Sequence, residues 1–203
     1  MMQSVYSKVE KGERITKREG LALFKEGDTL ELARLAMLVR FRKHPERVVT
    51  FILDTNINYT NICSTRCSFC AFYRDKSDPD AYCMSIDELK RKAQEAKDRH
   101  VTTILIQGGL NEALPYEYYL DLVRELSSIG VHIHPFSPPE IDLMCRISGK
   151  GVEEVFEDLK RAGMTTMPGG GAEILTERVR KRISPAKISS DRWLEIMEKA
   201  HRL

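Results

Sequence analysis

Asn56-Ile-Asn-Tyr-Thr-Asn-Ile-Cys-Ser-Thr-Arg-Cys-Ser-Phe-Cys-Ala-Phe-Tyr73 is the stretch on which the reading of this chain turns. Its three cysteines, Cys63, Cys67 and Cys70, are spaced C-x3-C-x2-C and follow an extended segment, Phe51 to Tyr59. A loop of this spacing can fold three thiolates around one face of a small iron–sulfur cube, which normally takes one Cys per iron. Three Cys leave one iron without a protein ligand, and that open corner can bind a substrate or cofactor. A structural zinc would want a fourth ligand in a closed tetrahedron, usually from a second paired motif. Cys83 is the nearest candidate, and no C-x2-C pair accompanies it. Disulfides fit less well: five Cys is an odd count, the first residues, Met1 to Arg14, carry no apolar signal core, and reduced thiols are the cytosolic default.

Around this loop the chain reads as an ordinary globular protein. It has 203 residues, enough for a sizeable core, with 42% apolar and 31% charged residues. The net charge of +2 points to neither nucleic acid nor an anionic membrane. No apolar run approaches the ~20 residues that span a bilayer. The expectation is a cytoplasmic protein.

Outward from the cysteines, strands and helices alternate. Upstream, residues 1–47 read as a helical segment: Thr16 and Glu19 make a capping box, and Leu32, Leu35, Ala36 and Val39 share one helix face. His44-Pro45 ends it. Val48 to Leu53 and Asn56 to Tyr59 read as extended. Downstream, Ser85 and Glu88 cap a helix, Thr102 to Ile106 is a buried strand, and Tyr116 to Leu126 is a helix. Val131 to Phe136 is a third strand, followed by a helix begun at Pro138-Pro139 and another over Val152 to Leu159. Met164 to Met167 reads as a fourth strand, then come a basic helix from Thr176 to Ile183 and a last helix through Trp193. This is α/β order with about four βα units, a partial (β/α) barrel over 48–203. In a barrel the loops after the strands share one mouth, the C-terminal face.

Those loops carry the polar candidates. Gln107-Gly108-Gly109 alone could be a simple turn. His132 and His134 face the same way on one strand, and fit hydrogen-bonded fillers or substrate contacts better than a metal site, for which no third ligand stands out. Ser137 and Glu140 are polar groups at a later strand end, and Glu140 could bind a ribose or move a proton, or it could cap a helix. Glu173 follows three glycines that permit close approach, which favours function. Cys83 and Cys145 read as ordinary thiols, and Glu177 to Lys187 as a solvated basic face.

The cysteine spacing, with Phe69 just before Cys70, resembles the signature of radical SAM enzymes. Within them, five motifs in order resemble the dehypoxanthine futalosine cyclase family: Asn56 to Cys63, Cys67 to Arg74, Gln107-Gly-Gly-Leu110, His132 to Ile141, and Pro168 to Ile174. Aminofutalosine synthase and the deazaflavin-cofactor synthases share parts of the pattern. Tyr59-Thr60-Asn61 with Tyr73-Arg74 favours the cyclase, and a non-catalytic iron–sulfur fragment is the alternative of another class.

The resemblance implies a radical-SAM barrel in which Cys63, Cys67 and Cys70 bind a [4Fe–4S] cluster and S-adenosylmethionine (SAM) chelates the fourth iron. It implies cofactor contacts from Phe69, Gln107, Gly108, Gly109 and Ser137, and catalytic roles for Glu173 and Glu140. Leu110 stands where the glycine motif commonly has an acid. The implied reaction belongs to menaquinone biosynthesis: a 5′-deoxyadenosyl radical takes a hydrogen from the sugar of dehypoxanthine futalosine, and the sugar radical closes onto the benzoate ring. A flavodoxin or ferredoxin would supply electrons. An eight-stranded barrel takes at least about 200 residues. With residues 1–47 ahead of the first strand, the expectation is a half-barrel, C-terminally truncated relative to the family, whose missing half a second polypeptide could supply.

Overall fold

The computed structural model describes residues 2–203. The chain forms two compact units, one ending at Phe51 and one running from Ile52 to Leu203.

The first unit is three helices, α1 (Met2–Lys11), α2 (Lys17–Glu26) and α3 (Thr29–Lys43). Local chemistry sets their ends. The Thr16 hydroxyl accepts the Glu19 N–H while the Glu19 carboxylate accepts the Thr16 N–H. Asp28 caps α3 through the Glu31 N–H, and its own N–H donates to the Tyr6 hydroxyl at 3.0 Å. Val5, Tyr6 and Leu35 are buried.

The second unit is built on three parallel strands in the order β1 (Asp54–Asn58), β2 (Thr103–Gln107), β3 (His132–Pro135). Asp54 pairs with Thr103, Asn58 with Gln107, and Thr103 with His132. Six helices accompany them: α4 (Ile86–Asp98), α5 (Tyr116–Ser127), α6 (Pro138–Ser148), α7 (Val152–Ala162), α8 (Glu177–Ile183) and α9 (Ser190–Arg202). Ile57, Ile104, Ile106 and Ile133 alternate onto one sheet face. They are buried in a single core with Leu89 and Ala93 of α4, Leu122 and Leu126 of α5, Ile141 and Met144 of α6, and Val155 and Leu159 of α7. Each of the Val, Leu, Ile and Met side chains among these contributes about 1.5–3 kcal/mol on burial. The opposite face carries Asn56, Asn58, Gln107, His132 and His134 by the same two-residue alternation.

This is the expected partial α/β barrel, with two corrections. The first strand starts at Asp54; Val48 to Leu53 is outside any ladder and mostly exposed, so β-branched composition alone did not make it a strand. Met164 to Met167 is not a strand either. Beside β3 the Thr166 hydroxyl, not a backbone N–H, reaches the Ile133 carbonyl, at 3.5 Å. The same hydroxyl meets His132 Nε2 at 2.9 Å and His134 Nδ1 at 2.7 Å. Side chains thus make the contacts that a ladder would have made, and β3 ends in Pro135, which has no N–H to give.

Candidate radical-initiation site

The three strands end side by side, and each end delivers part of one cleft of about 350 Å³. That volume is within the ordinary range for a small-molecule site. After β1 comes the cysteine loop, with Cys67 buried and Cys63 and Cys70 half-buried. The loop is anchored at several points. Cys63 N–H donates to the Arg74 carbonyl, Ser64 N–H to the Leu110 carbonyl after β2, and Cys70 N–H to the Cys67 carbonyl. Ser68 donates through both its N–H and its hydroxyl to the Ile183 carbonyl at the end of α8. Arg66 turns the chain at φ 44° and pairs with Asp75. The buried Thr65 hydroxyl sits 3.0 Å from Cys63 Sγ and 3.7 Å from Cys67 Sγ, which orients two of the three sulfurs.

Gly108 and Gly109 close the second side. A Cβ on Gly108 would stand 2.5 Å from the Tyr59 ring, and one on Gly109 would stand 2.2 Å from the Ile62 carbonyl oxygen. Glycine is required here because the β1 and β2 ends pass too close for any side chain. Both N–H groups are spent: Gly108 donates to Glu140 Oε1 at 3.0 Å and Gly109 to the Thr60 carbonyl at 2.9 Å. Carbonyl oxygens are therefore what the pair can present to a ligand.

Glu140 has no free carboxylate oxygen in this structure, and its capping of α6, one of the two readings of the sequence, is what the geometry shows. Its Oε1 accepts from the Tyr59 hydroxyl at 2.8 Å and from Gly108 N–H; its Oε2 accepts from Ser137 N–H at 2.7 Å and Ser137 hydroxyl at 2.6 Å. One buried carboxylate thereby ties together the segments that follow β1, β2 and β3. Burial pushes its pKa up, against the pull of these donors. Burial also raises the Tyr59 phenol well above its ordinary value, so it stays a donor. The Ser137 hydroxyl, expected at the cofactor, gives its proton to Glu140, although the residue still lines the cleft.

The last wall comes from the glycine-rich loop. Glu173 sits there at φ 40°, an unusual conformation for a residue with a Cβ. Its Oε1 accepts from Lys187 Nζ at 2.8 Å. Lys187 Nζ is also 5.7 Å from the centroid of the Phe69 ring, a cation–π contact. Among the described residues lining the cleft, Lys187 is the one Lys or Arg. Cys63, Cys67, Phe69, Cys70, Gln107, Gly108, Gly109, Ser137, Glu140 and Glu173 all line this one cleft, whereas His132 and His134 lie outside its lining.

The roles of four participants escaped the sequence reading. Tyr59 entered it only as part of a family pattern, with no role of its own, and Thr65 sits within the cysteine stretch with no motif. Arg180 and Lys187 belong to a stretch expected to be a solvated basic face. Arg180 is instead 2% exposed and Lys187 lines the cleft, because backbone carbonyls and a carboxylate face them.

The donor set fits an iron–sulfur cluster better than zinc. A structural zinc takes four ligands in a closed tetrahedron, while three thiols, Cys63, Cys67 and Cys70, suffice for a cube with one open iron. A half-barrel with three loop thiols and a glycine-walled cleft beside them defines an iron–sulfur enzyme with an open coordination corner.

The family comparison agrees. The Radical SAM superfamily profile matches residues 57–203, and the chain belongs to that superfamily. Its cofactors are accordingly a [4Fe–4S] cluster and SAM. The chain is 42% identical over 178 residues to a 5-amino-6-(D-ribitylamino)uracil–L-tyrosine 4-hydroxyphenyl transferase of Methanopyrus kandleri, covering 87% of this chain and 48% of the relative. It is 37% identical over 199 residues to a cyclic dehypoxanthine futalosine synthase of Halalkalibacterium halodurans, covering 97% and 54%. An aminodeoxyfutalosine synthase of Thermus thermophilus is 39% identical over 201 residues, covering 98% and 54%. The chain thus spans about half the length of the curated relatives it matches. Among solved structures, the [FeFe]-hydrogenase maturase HydG superposes with a TM-score of 0.73 at 14% identity, over 99% of this chain and 44% of that one. Methylornithine synthase superposes with a TM-score of 0.65 at 17% identity, over 98% and 56%. These two show the fold alone. Among the described residues, no helix is long and apolar enough to cross a membrane.

Proposed function

We propose that this chain is the cluster-bearing half of a radical SAM cyclase that converts dehypoxanthine futalosine to its cyclic product. The observation that carries the reading is the convergence of three thiols, a glycine-tight strand end and the Glu173–Lys187 wall on one cleft. The five-motif resemblance and the relative named cyclic dehypoxanthine futalosine synthase support it over most of the chain.

When bound, SAM and the reduced cluster supply a 5′-deoxyadenosyl radical that takes hydrogen from the substrate. The chain's own residues bind and orient. Cys63, Cys67 and Cys70 hold the cluster, and the Thr65 hydroxyl fixes two of those sulfurs. Carbonyls of the Gly108–Gly109 segment suit an ammonium, and Phe69 and Gln107 complete the cofactor wall. Lys187 suits a carboxylate, which both SAM and the benzoate of the substrate carry. Glu173, whose second oxygen has no partner within 3.5 Å, suits ribose hydroxyls. Holding the sugar hydrogen against the radical carbon is the task of this wall, since small misplacements cost large factors in rate. Electrons would come from a flavodoxin or ferredoxin. The opposite wall would come from the second half present in the relatives.

A second reading, transfer of the tyrosine 4-hydroxyphenyl group, is favoured by two relatives of that name at 42% identity. Anaerobic incubation with SAM, dithionite and the matching second half of a relative separates the two. Dehypoxanthine futalosine is supplied in one arm, tyrosine with 5-amino-6-(D-ribitylamino)uracil in the other, and products are weighed by mass spectrometry. A cyclised product supports the first reading, and a coupled product only in the second arm overturns it. In the active arm, Glu173→Gln should cut turnover by at least about tenfold with the cluster intact.

A further inference from the structure

We propose that Arg180 is a positioning residue: it clips together the two segments that carry Glu173 and Lys187, and so sets their pair on the cleft wall. The functional part of this inference rests on the reading of Glu173 as a contact to SAM or substrate.

Arg180 lies on α8 among Arg178, Lys181 and Arg182, which are exposed, yet it is 2% exposed itself and ranks with the largest fully buried side chains of the protein. A guanidinium stays charged at any ordinary pH, so burial demands partners. Its nearest carboxylate oxygen, Glu173 Oε2, is 3.7 Å away, beyond a good hydrogen bond. The partners are backbone carbonyls. Nη2 donates to Gly171 O at 3.0 Å, and Nη1 to Ala172 O at 2.7 Å and Ile174 O at 3.4 Å. Nε donates to Ile188 O at 2.8 Å.

The choice of carbonyls is what gives this arrangement a purpose. Three of them flank Glu173, and the fourth follows Lys187. The planar fork of one side chain therefore spans both segments and faces their side chains toward each other, at 2.8 Å. It also accounts for the left-handed backbone of Glu173: carbonyls on either side of it turn toward one cation. Lysine could not do this, because an ammonium has three donors radiating from one point where Arg180 uses a wide rigid fork. Without the guanidinium, the loop carbonyls would turn to water, Glu173 would relax, and the pair would part while the sheet and the cysteine loop stayed.

The test uses the full chain, reconstituted anaerobically, with Arg180→Met, Arg180→Lys, Glu173→Gln and the Arg180→Met/Glu173→Gln double variant. A zero-length carbodiimide cross-link between Glu173 and Lys187, read by peptide mass spectrometry, reports the pair without reference to activity. SAM binding by equilibrium dialysis reports the wall. The expected result is a cross-link largely lost in Arg180→Met, with helical circular dichroism and iron content unchanged. SAM affinity should fall by at least about tenfold in Arg180→Met, as a misplaced contact predicts, and the double variant should bind no worse than Glu173→Gln alone. A cross-link that persists in folded Arg180→Met overturns the proposal. Loss of helical signal in both Arg180→Met and Arg180→Lys overturns it too, since Arg180 would then support the whole unit. Unchanged SAM binding in Glu173→Gln, with the cross-link still dependent on Arg180, would instead remove the reading of Glu173 and leave the clip standing.

Discussion

Cys63, Cys67 and Cys70 differ from Cys83 and Cys145 in where they point, not in chemistry. The first three line the cleft and the other two do not. Replacing any of the three by Ala should abolish the brown absorbance of anaerobically reconstituted protein, whereas Cys83→Ala and Cys145→Ala should keep it. Zinc at stoichiometric level with no iron in the parent would defeat this assignment. Glu140 makes a second prediction. In Glu140→Gln one carboxylate oxygen becomes an NH2 group that must face two donors, either Ser137 N–H and O–H or Tyr59 O–H and Gly108 N–H. Leaving such buried donors unpaired should destabilise the protein by about 1–3 kcal/mol in urea unfolding. An unchanged midpoint would mean that the carboxylate does not tie the strand ends together. Residue chemistry was legible in the sequence where the partners are close in the chain. At Glu140 the cap to the neighbouring Ser137 was legible and the tie to Tyr59, 81 residues away, was not.

Among the elements, helices were the easiest to read, since caps and apolar stripes lie within a few residues of one another. The capping box of α2 also carries a pH dependence. The Lys8 ammonium and then the Thr16 N–H hold the Glu19 carboxyl at about 2, down from 4.5. A depressed folded pKa means stabilisation that is complete above 4.5 and is lost as pH falls toward 2. An NMR titration of the Glu19 carboxyl should show the low midpoint, and Lys8→Met should move it back toward 4.5. A midpoint near 4.5 in the parent would show that the Lys8 contact does not hold in solution. Strands were harder. Met164 to Met167 has the composition of a strand, but whether it joins a ladder depends on what stands beside it, and here Thr166 and two imidazoles do. The basic α8 misled for a related reason: a run of Arg and Lys carries no mark showing which of them meets carbonyls rather than water.

For the molecule as a whole, the chain spans about half the length of the curated relatives it matches. We expect the 203-residue chain alone to bind a cluster yet give no cyclised product, and the matching half of a relative to raise turnover. Full activity from the purified chain by itself would refute this. Three-cysteine spacing, strand–helix alternation and the glycine pairs were enough to declare the superfamily, because those features follow from covalent spacing and local propensity. They also placed the cleft, since loops after parallel strands share one face. Tertiary structure alone decided which polar groups stay free in that cleft. Glu140 and Glu173 both read in the sequence as acids at the cleft mouth; one carboxylate is sealed by four donors, and the other pairs with Lys187 at 2.8 Å through one oxygen. Hydrogen-bond saturation is a sum over distant neighbours, and it is settled only when those neighbours arrive.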